Sequence, residues 1–279
     1  KSQMGIANRK AGMKSPGHIN EDSQSAHELA DASSKGTADT RRQTSPFAVE
    51  LARQLVGTLP HGIPGLFNPW FDYCPDDEPH NGPERKLARL AAHLDCAPEL
   101  ILVGEAAGYR GCRHTGIAFS SEAQLCETGL PRLPVEPRLT RRHIPYRESS
   151  ATVVWGALED LRLSETTILW NALQLHPHRE ADRNSNRTPR QAEMAFGAPA
   201  MHILAQAFPT VPIVAIGGKA EKLLKAMKVP TFASVRHPAK GGTSEFRAGM
   251  RNLAKSLPKL RSKKVDPAQH QESAVSRIL

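Results

Sequence analysis

The chain has 279 residues, with 37 Lys and Arg against 28 Asp and Glu, a net charge of +9 and a pI near 9.6. That length holds one large domain with a sizeable core, and the charge balance favours a polyanionic partner such as nucleic acid over an acidic one. No apolar run approaches the roughly 18 residues of a bilayer span, and the first thirty residues lack the apolar centre of a signal peptide. A soluble, cytoplasmic, monomeric protein without a membrane partner is therefore expected.

Residues 1–45 contain no aromatic side chain and are rich in Ser, Ala, Gly and charge. Such a segment cannot offset its ordering entropy, so a disordered N-terminal tail is expected there. From Pro46 to Leu59, Phe47, Leu51 and Leu55 fall on one face of a helix. Residues 61–83 are too rich in Pro and Gly for long regular structure, yet Leu66, Phe67, Trp70, Phe71 and Tyr73 need burial, which predicts a packed loop. Glu84 to Leu94 returns to helical spacing at Leu87, Leu90, Ala91 and Leu94.

Four short apolar runs then read as strands: Leu100–Val103, Thr167–Trp170, Val211–Ile216 and Thr231–Val235. Between them lie helical patterns around Val154–Leu161, Pro199–Phe208 and Lys219–Met227. Alternation of this kind predicts an α/β fold with a parallel sheet covered on both faces and a ligand cleft beyond the strands' carboxyl ends. The four segments leaving those ends are GEAAGYRG, NALQLHPH, GGKAEK and RHPAKGG. Residues 46–260 would form this domain, followed by a basic tail over 261–279.

Basic residues cluster in two stretches. Five arginines accompany a single acidic residue, Glu136, between Arg132 and Arg147, and nine Lys or Arg accompany a single one, Glu245, between Arg236 and Lys264. Cys74, Cys96, Cys112 and Cys126 include no Cys-x-x-Cys pair, which reads as free thiols. His176 and His178 flank Pro177, but nothing nearby completes a metal-ligand set, and no metal is expected. Neither a dinucleotide fingerprint nor a phosphate loop ending Gly-Lys-Ser/Thr is present.

The segment Leu102–Glu122 places Gly104-Glu105-Ala106-Ala107-Gly108 after a strand, then Thr115-Gly116-Ile117-Ala118-Phe119, then Glu122. Asn171 follows the second strand, with Asn186-Arg187-Thr188-Pro189 and Glu193 beyond it, and Arg236-His237-Pro238 follows the fourth. This order of motifs, over residues 98–255, resembles the uracil-DNA glycosylase superfamily, particularly its bacterial and archaeal branches whose first motif reads GEAPG or G-x-A-P-A. The resemblance implies a three-layer α/β/α sandwich with a four-stranded parallel sheet. It also implies an enzyme that flips a nucleotide from DNA and hydrolyses its N-glycosidic bond, in base-excision repair or in antiviral defence.

By that resemblance Glu105 or Glu122 would position water and favour the sugar cation, and His237 would donate to the departing base. Gly104, Ala106, Gly108, Phe119 and Asn171 would bind the base, with Phe119 stacking and Asn171 reading the pyrimidine edge. Arg236, Lys240, Gly241 and Gly242 would meet phosphates, and Lys240 and the residues around Phe246 are candidates to fill the gap left by flipping. The plainer alternatives are a helix-capping Glu105, a core Phe119, a turn-forming Asn171 and a structural His237.

Two departures matter. Relatives with GEAPG often carry an iron-sulfur cluster on four cysteines; the cysteines here lie elsewhere, so no cofactor is expected. Uracil-specific members with GQDPY use its tyrosine to exclude C5-substituted pyrimidines, whereas Gly108 and Ala106 stand at the tyrosine and aspartate places. The enlarged wall predicts uracil or a C5-modified pyrimidine, including a hypermodified phage base, as substrate. A nucleic-acid-binding protein that keeps the fold without the chemistry is the competing reading, and a lyase acting through Lys240 is a third.

Overall fold

A computed structural model describes residues 43–261, with side chains through Leu257; the expected tails, up to residue 42 and beyond 261, lie outside the described residues. Helix α1 (Pro46–Gly57) starts where Pro46 sets the backbone angle and Ser45 Oγ accepts the Ala48 amide at 3.3 Å. Strand β1 (Leu66–Phe67) lies within the Pro/Gly-rich stretch, and α2 (Pro83–Leu94) again begins on a proline. Strand β2 (Leu100–Ala106) leads to two short helices, α3 (Cys112–Thr115) and α4 (Glu122–Glu127), and then α5 (Ser149–Asp160).

Strand β3 (Thr167–Leu173) is followed by β4 (His176–Pro177), α6 (Gln191–Met194) and α7 (Ala198–Ala207). Strand β5 (Ile213–Ile216), α8 (Gly218–Ala226), β6 (Ala233–Val235) and α9 (Thr243–Arg261) complete the order.

The main sheet runs β3-β2-β5-β6, parallel throughout, and β1 and β4 form a separate antiparallel pair. Side chains alternate across the main sheet. Ile101, Val103, Ile168, Trp170, Ile213 and Ala215 face a core built with α1, α2, α7 and α8. Leu100, Leu102, Leu169, Val214, Ile216 and Val235 face α5 and α9 on the other side. The result is the three-layer α/β/α sandwich expected from the sequence.

Several boundaries differ from the sequence expectation. Strands β2 and β3 each extend three residues further, because Gly104 pairs with Asn171 and Ala106 with Leu173. Glu105 and Asn171 are thereby strand residues, not loop residues. Phe71 and Tyr73 are exposed, not buried; Leu66, Phe67 and Trp70 account for the packing of that loop. Phe246 is completely buried against the sheet, which removes it as a side chain available to enter DNA. Truncating Phe246→Ala should lower the unfolding free energy by about 3–5 kcal/mol in a urea titration, as for other fully buried phenylalanines.

Candidate active site

The sheet's alternation decides which groups meet. Leu102, Leu169 and Val235 all face the α5/α9 layer, and two residues further on the same phase brings Gly104, Asn171 and His237 to one end of the sheet. Gly104 has no side chain, and any Cβ there would stand 2.8 Å from Asn171 Oδ1 and 2.8 Å from the Phe119 ring. The amide and the ring therefore converge over bare backbone.

Phe119 takes a left-handed conformation, φ +50°, which a residue with a bulky side chain rarely adopts. Trp155 Nε1 of α5 donates to its carbonyl at 2.8 Å, and the ring is buried, tilted against His237 at a centroid distance of 6.1 Å. Asn171 is 5% exposed, and its side chain has no hydrogen-bond partner among the described residues. Its backbone carbonyl accepts from Gln174 Nε2 at 2.7 Å, leaving the side-chain amide free to read a ligand.

His237 follows β6. The Ala239 amide donates to its Nδ1 at 3.1 Å, so the neutral ring carries its proton on Nε2. Burial, followed by the adjacent Arg236 guanidinium, lowers its pKa below the usual histidine value. The ring is thus a neutral donor near pH 7. Gly217, at φ +89°, passes close beneath it: a Cβ there would stand 3.0 Å from the Cβ of His237.

The two carboxylates singled out from the sequence occupy different settings. Glu122, at the start of α4, is wholly buried; its Oε1 accepts from Arg138 Nε (3.0 Å) and the amides of Leu139 (3.1 Å) and Thr140 (2.9 Å). Its Oε2 accepts from Thr140 Oγ1 (2.7 Å) and the Tyr146 amide (3.0 Å). Burial works to raise its pKa, but these donors outweigh it and hold the carboxyl below its ordinary value. Glu105 is only partly buried, and Lys219 Nζ lies 3.3 Å from its Oε1.

Lys219 also donates to Thr188 Oγ1 at 3.1 Å, and Asn186 Oδ1 accepts the Tyr109 amide at 3.1 Å, which ties the loop after β4 to the first motif. Glu193 instead forms a paired contact with Arg187 at 2.7 and 2.8 Å, and Arg187 also donates to the carbonyls of Gly65 and His178. That pair fastens the β1–β4 region.

Ala106 ends β2, and a Cβ at Gly108 would make an ordinary contact, 3.6 Å, with Glu148 Oε2. At Gly111 a Cβ would collide with the same carboxyl group. Glu148 caps the approach to α5, and burial raises its carboxyl pKa to about 7. The sequence reading missed Glu148, which lies far from the motifs in an Arg-rich segment. The exposed Arg236, Lys240 and Gly241, with buried Gly242, form the turn into α9; Lys240 and Gly241 both have positive φ (+54° and +79°).

The architecture is that of the uracil-DNA glycosylase-like fold. The structure is similar to the crystal structure of wild-type Pedobacter heparinus SMUG2, with a TM-score of 0.54 and 16% sequence identity over 78% of this chain and 99% of that one. No family model and no curated protein matches the sequence. Among the described residues no helix is long and apolar enough to cross a membrane.

Glu148 gives a pH test. Its folded pKa of about 7 lies above its ordinary value of 4.5, so the folded chain holds the proton where the unfolded chain has lost it. The associated stability is fully present below pH 4.5, falls as pH rises and is lost above about 7. Glu148→Gln should flatten that decline in a series of urea titrations between pH 4.5 and 8.

Proposed function

We propose that the protein is a DNA glycosylase that takes up a flipped pyrimidine nucleotide and hydrolyses its N-glycosidic bond, leaving an abasic site. The slot at Gly104 carries the proposal: an aromatic ring, an unpartnered amide and a neutral imidazole meet over bare backbone. A flat base stacks on Phe119, and Asn171 both donates to and accepts from its edge.

Departure of the base leaves negative charge on it and positive charge on the sugar. His237 donates its Nε2 proton in a hydrogen bond to the base oxygen as that charge grows, without first having to lose a proton. Glu105, half-open beside Lys219, is the better placed of the two carboxylates to orient water and favour the sugar cation. Glu122 has its oxygens committed to the 138–146 segment and acts as a positioning residue for it. Arg236, Lys240 and the amides of Gly241 and Gly242 take phosphates at the α9 turn.

The substrate follows from the wall at Ala106 and Gly108. Bare backbone at Gly108, bordered by the Glu148 carboxyl, supports a pyrimidine with a polar C5 substituent, such as hydroxymethyl or a glycosylated hydroxymethyl group. Excision of a hypermodified base of that kind would serve antiviral defence, and excision of uracil would serve repair.

Single- and double-stranded oligonucleotides carrying uracil, 5-hydroxymethyluracil or glucosylated 5-hydroxymethylcytosine test this, with alkaline cleavage reporting abasic sites. Excision of the C5-modified bases is expected, with a single-turnover rate about 10²–10³ lower in His237→Ala. Glu105→Gln should lower the rate more than any loss of affinity explains, and borohydride should trap no covalent adduct. Activity on uracil alone would remove the enlarged wall, and DNA binding without abasic sites would remove the enzyme.

A further inference from the structure

Cys74 and Asp77 come together with His114 of α3, whose ring stacks on Tyr146 at a centroid distance of 4.8 Å. The Cys74 sulfur, a ring nitrogen of His114 and a carboxylate oxygen of Asp77 all lie within 4.8 Å of one another. Asp77 Oδ1 holds His114 Nδ1 at 2.6 Å, while Nε2 is buried without a hydrogen-bond partner of good geometry. Arg113 Nη2 stands 3.5 Å from the sulfur, and Lys86 Nζ stands 2.6 Å from Asp77 Oδ2. Asp76 Oδ2 is 4.0 Å from the sulfur, and Glu78 and Arg141 are further charged residues beside Cys74.

This constellation admits a metal or an activated thiol. Lys86 and Arg113 already place two positive charges against the anionic groups, which opposes a further dication and supports a thiolate. Cys74 also lines a cavity of about 130 Å³ shared with Tyr73, Asn81, Lys86 and Arg141. Roughly four waters occupy such a volume in the liquid, so a small polar reagent fits.

We propose that Cys74, His114 and Asp77 form a thiolate–imidazolium relay whose sulfur is a site of oxidation by small hydroperoxides. The thiolate attacks one peroxide oxygen; the S–O bond forms as the O–O bond breaks, and sulfur gives two electrons to the peroxide. His114 supplies its proton to the departing oxygen, which leaves as water or an alcohol, and Cys74 becomes a sulfenic acid. Asp77 orients the ring and supports its charged form, as the acidic member of nucleophilic triads does. Burial alone would raise the Cys74 pKa, but the His114 interaction and Arg113 bring it below the ordinary thiol value. The opposite balance holds at His114, where burial opposes the proton and Asp77 retains it.

The site stands apart from the glycosylase reading and is tested without DNA. The full chain is treated with hydrogen peroxide in the presence of dimedone and mapped by peptide mass spectrometry. Cys74 should be labelled at least about 10-fold faster than Cys96, Cys112 or Cys126 in the same molecules, a comparison that needs no variant. Iodoacetamide should alkylate Cys74 with a midpoint below the roughly 8.5 of an ordinary thiol. In His114→Gln, once folding is verified by its melting curve, that midpoint should move upward and the labelling rate should fall. Labelling no faster than the other cysteines, an ordinary midpoint, or stoichiometric zinc that shields Cys74 would each overturn the proposal.

Discussion

A missing side chain at Gly104 is the constraint from which the cleft is built. Strand β2 has to continue past its apolar core to pair with β3 as far as Ala106, and at Gly104 the Phe119 ring and Asn171 amide already occupy the space where a Cβ would be. An alanine there has nowhere to go without moving a ring that is fixed by its own left-handed backbone and by Trp155. The strained Phe119 conformation is thus sustained by the packing of α5, and the cost of holding it falls on the scaffold. Ligand binding then meets a surface that is already formed.

Three carboxylates within one chemical neighbourhood behave differently because their surroundings differ. Backbone amides and Arg138 surround Glu122 and keep it ionised, which makes it an anchor for the chain from Arg138 to Tyr146. Glu148 lacks such donors, and burial alone pushes its pKa to about 7. Glu105 is partly open and lies beside Lys219. Residue type alone does not distinguish Glu122 from Glu148; the number of donors aimed at each does.

The parallel sheet was legible because buried strands write themselves as short apolar runs, and Leu100–Val103 and Thr167–Trp170 are such runs. Their last residues were not legible. Gly104, Glu105 and Asn171 are poor strand formers, and only pairing with the neighbouring strand extends the ladder through them. The glycine motif and Arg236-His237-Pro238 stood out as local patterns, whereas Glu148 reaches Gly108 and Gly111 through tertiary packing that no local pattern records. The Cys74–His114–Asp77 cluster was hidden for the same reason: Asp77 and His114 are 37 residues apart and meet only through folding. Phe246 misled in the opposite direction, since an aromatic residue near a basic loop reads equally as a wedge or as core until its burial is known.

Charge counted along the chain also changes meaning once the fold is known. The arginines between Arg132 and Arg147 look like one basic surface, but Arg132 donates to the carbonyls of His93, Ser164 and Thr167, and Arg138 is bound to Glu122. Lys86, Arg89 and Arg113 are buried and engaged with Asp77, Thr115 and Cys74 respectively. These cations contribute to the net +9 while doing structural tasks that water or phosphate cannot easily reach. The field available to a polyanion comes instead from exposed groups such as Arg141, Arg142, Arg236 and Lys240. Arg142 lies over the Tyr146 ring at 4.3 Å, and Tyr146 packs edge-on against Tyr109 of the first motif, which brings part of that charge to the rim of the cleft. Under the proposed function, this smaller set of charges draws a nucleic acid toward the end of the sheet where Gly104, Asn171 and His237 meet.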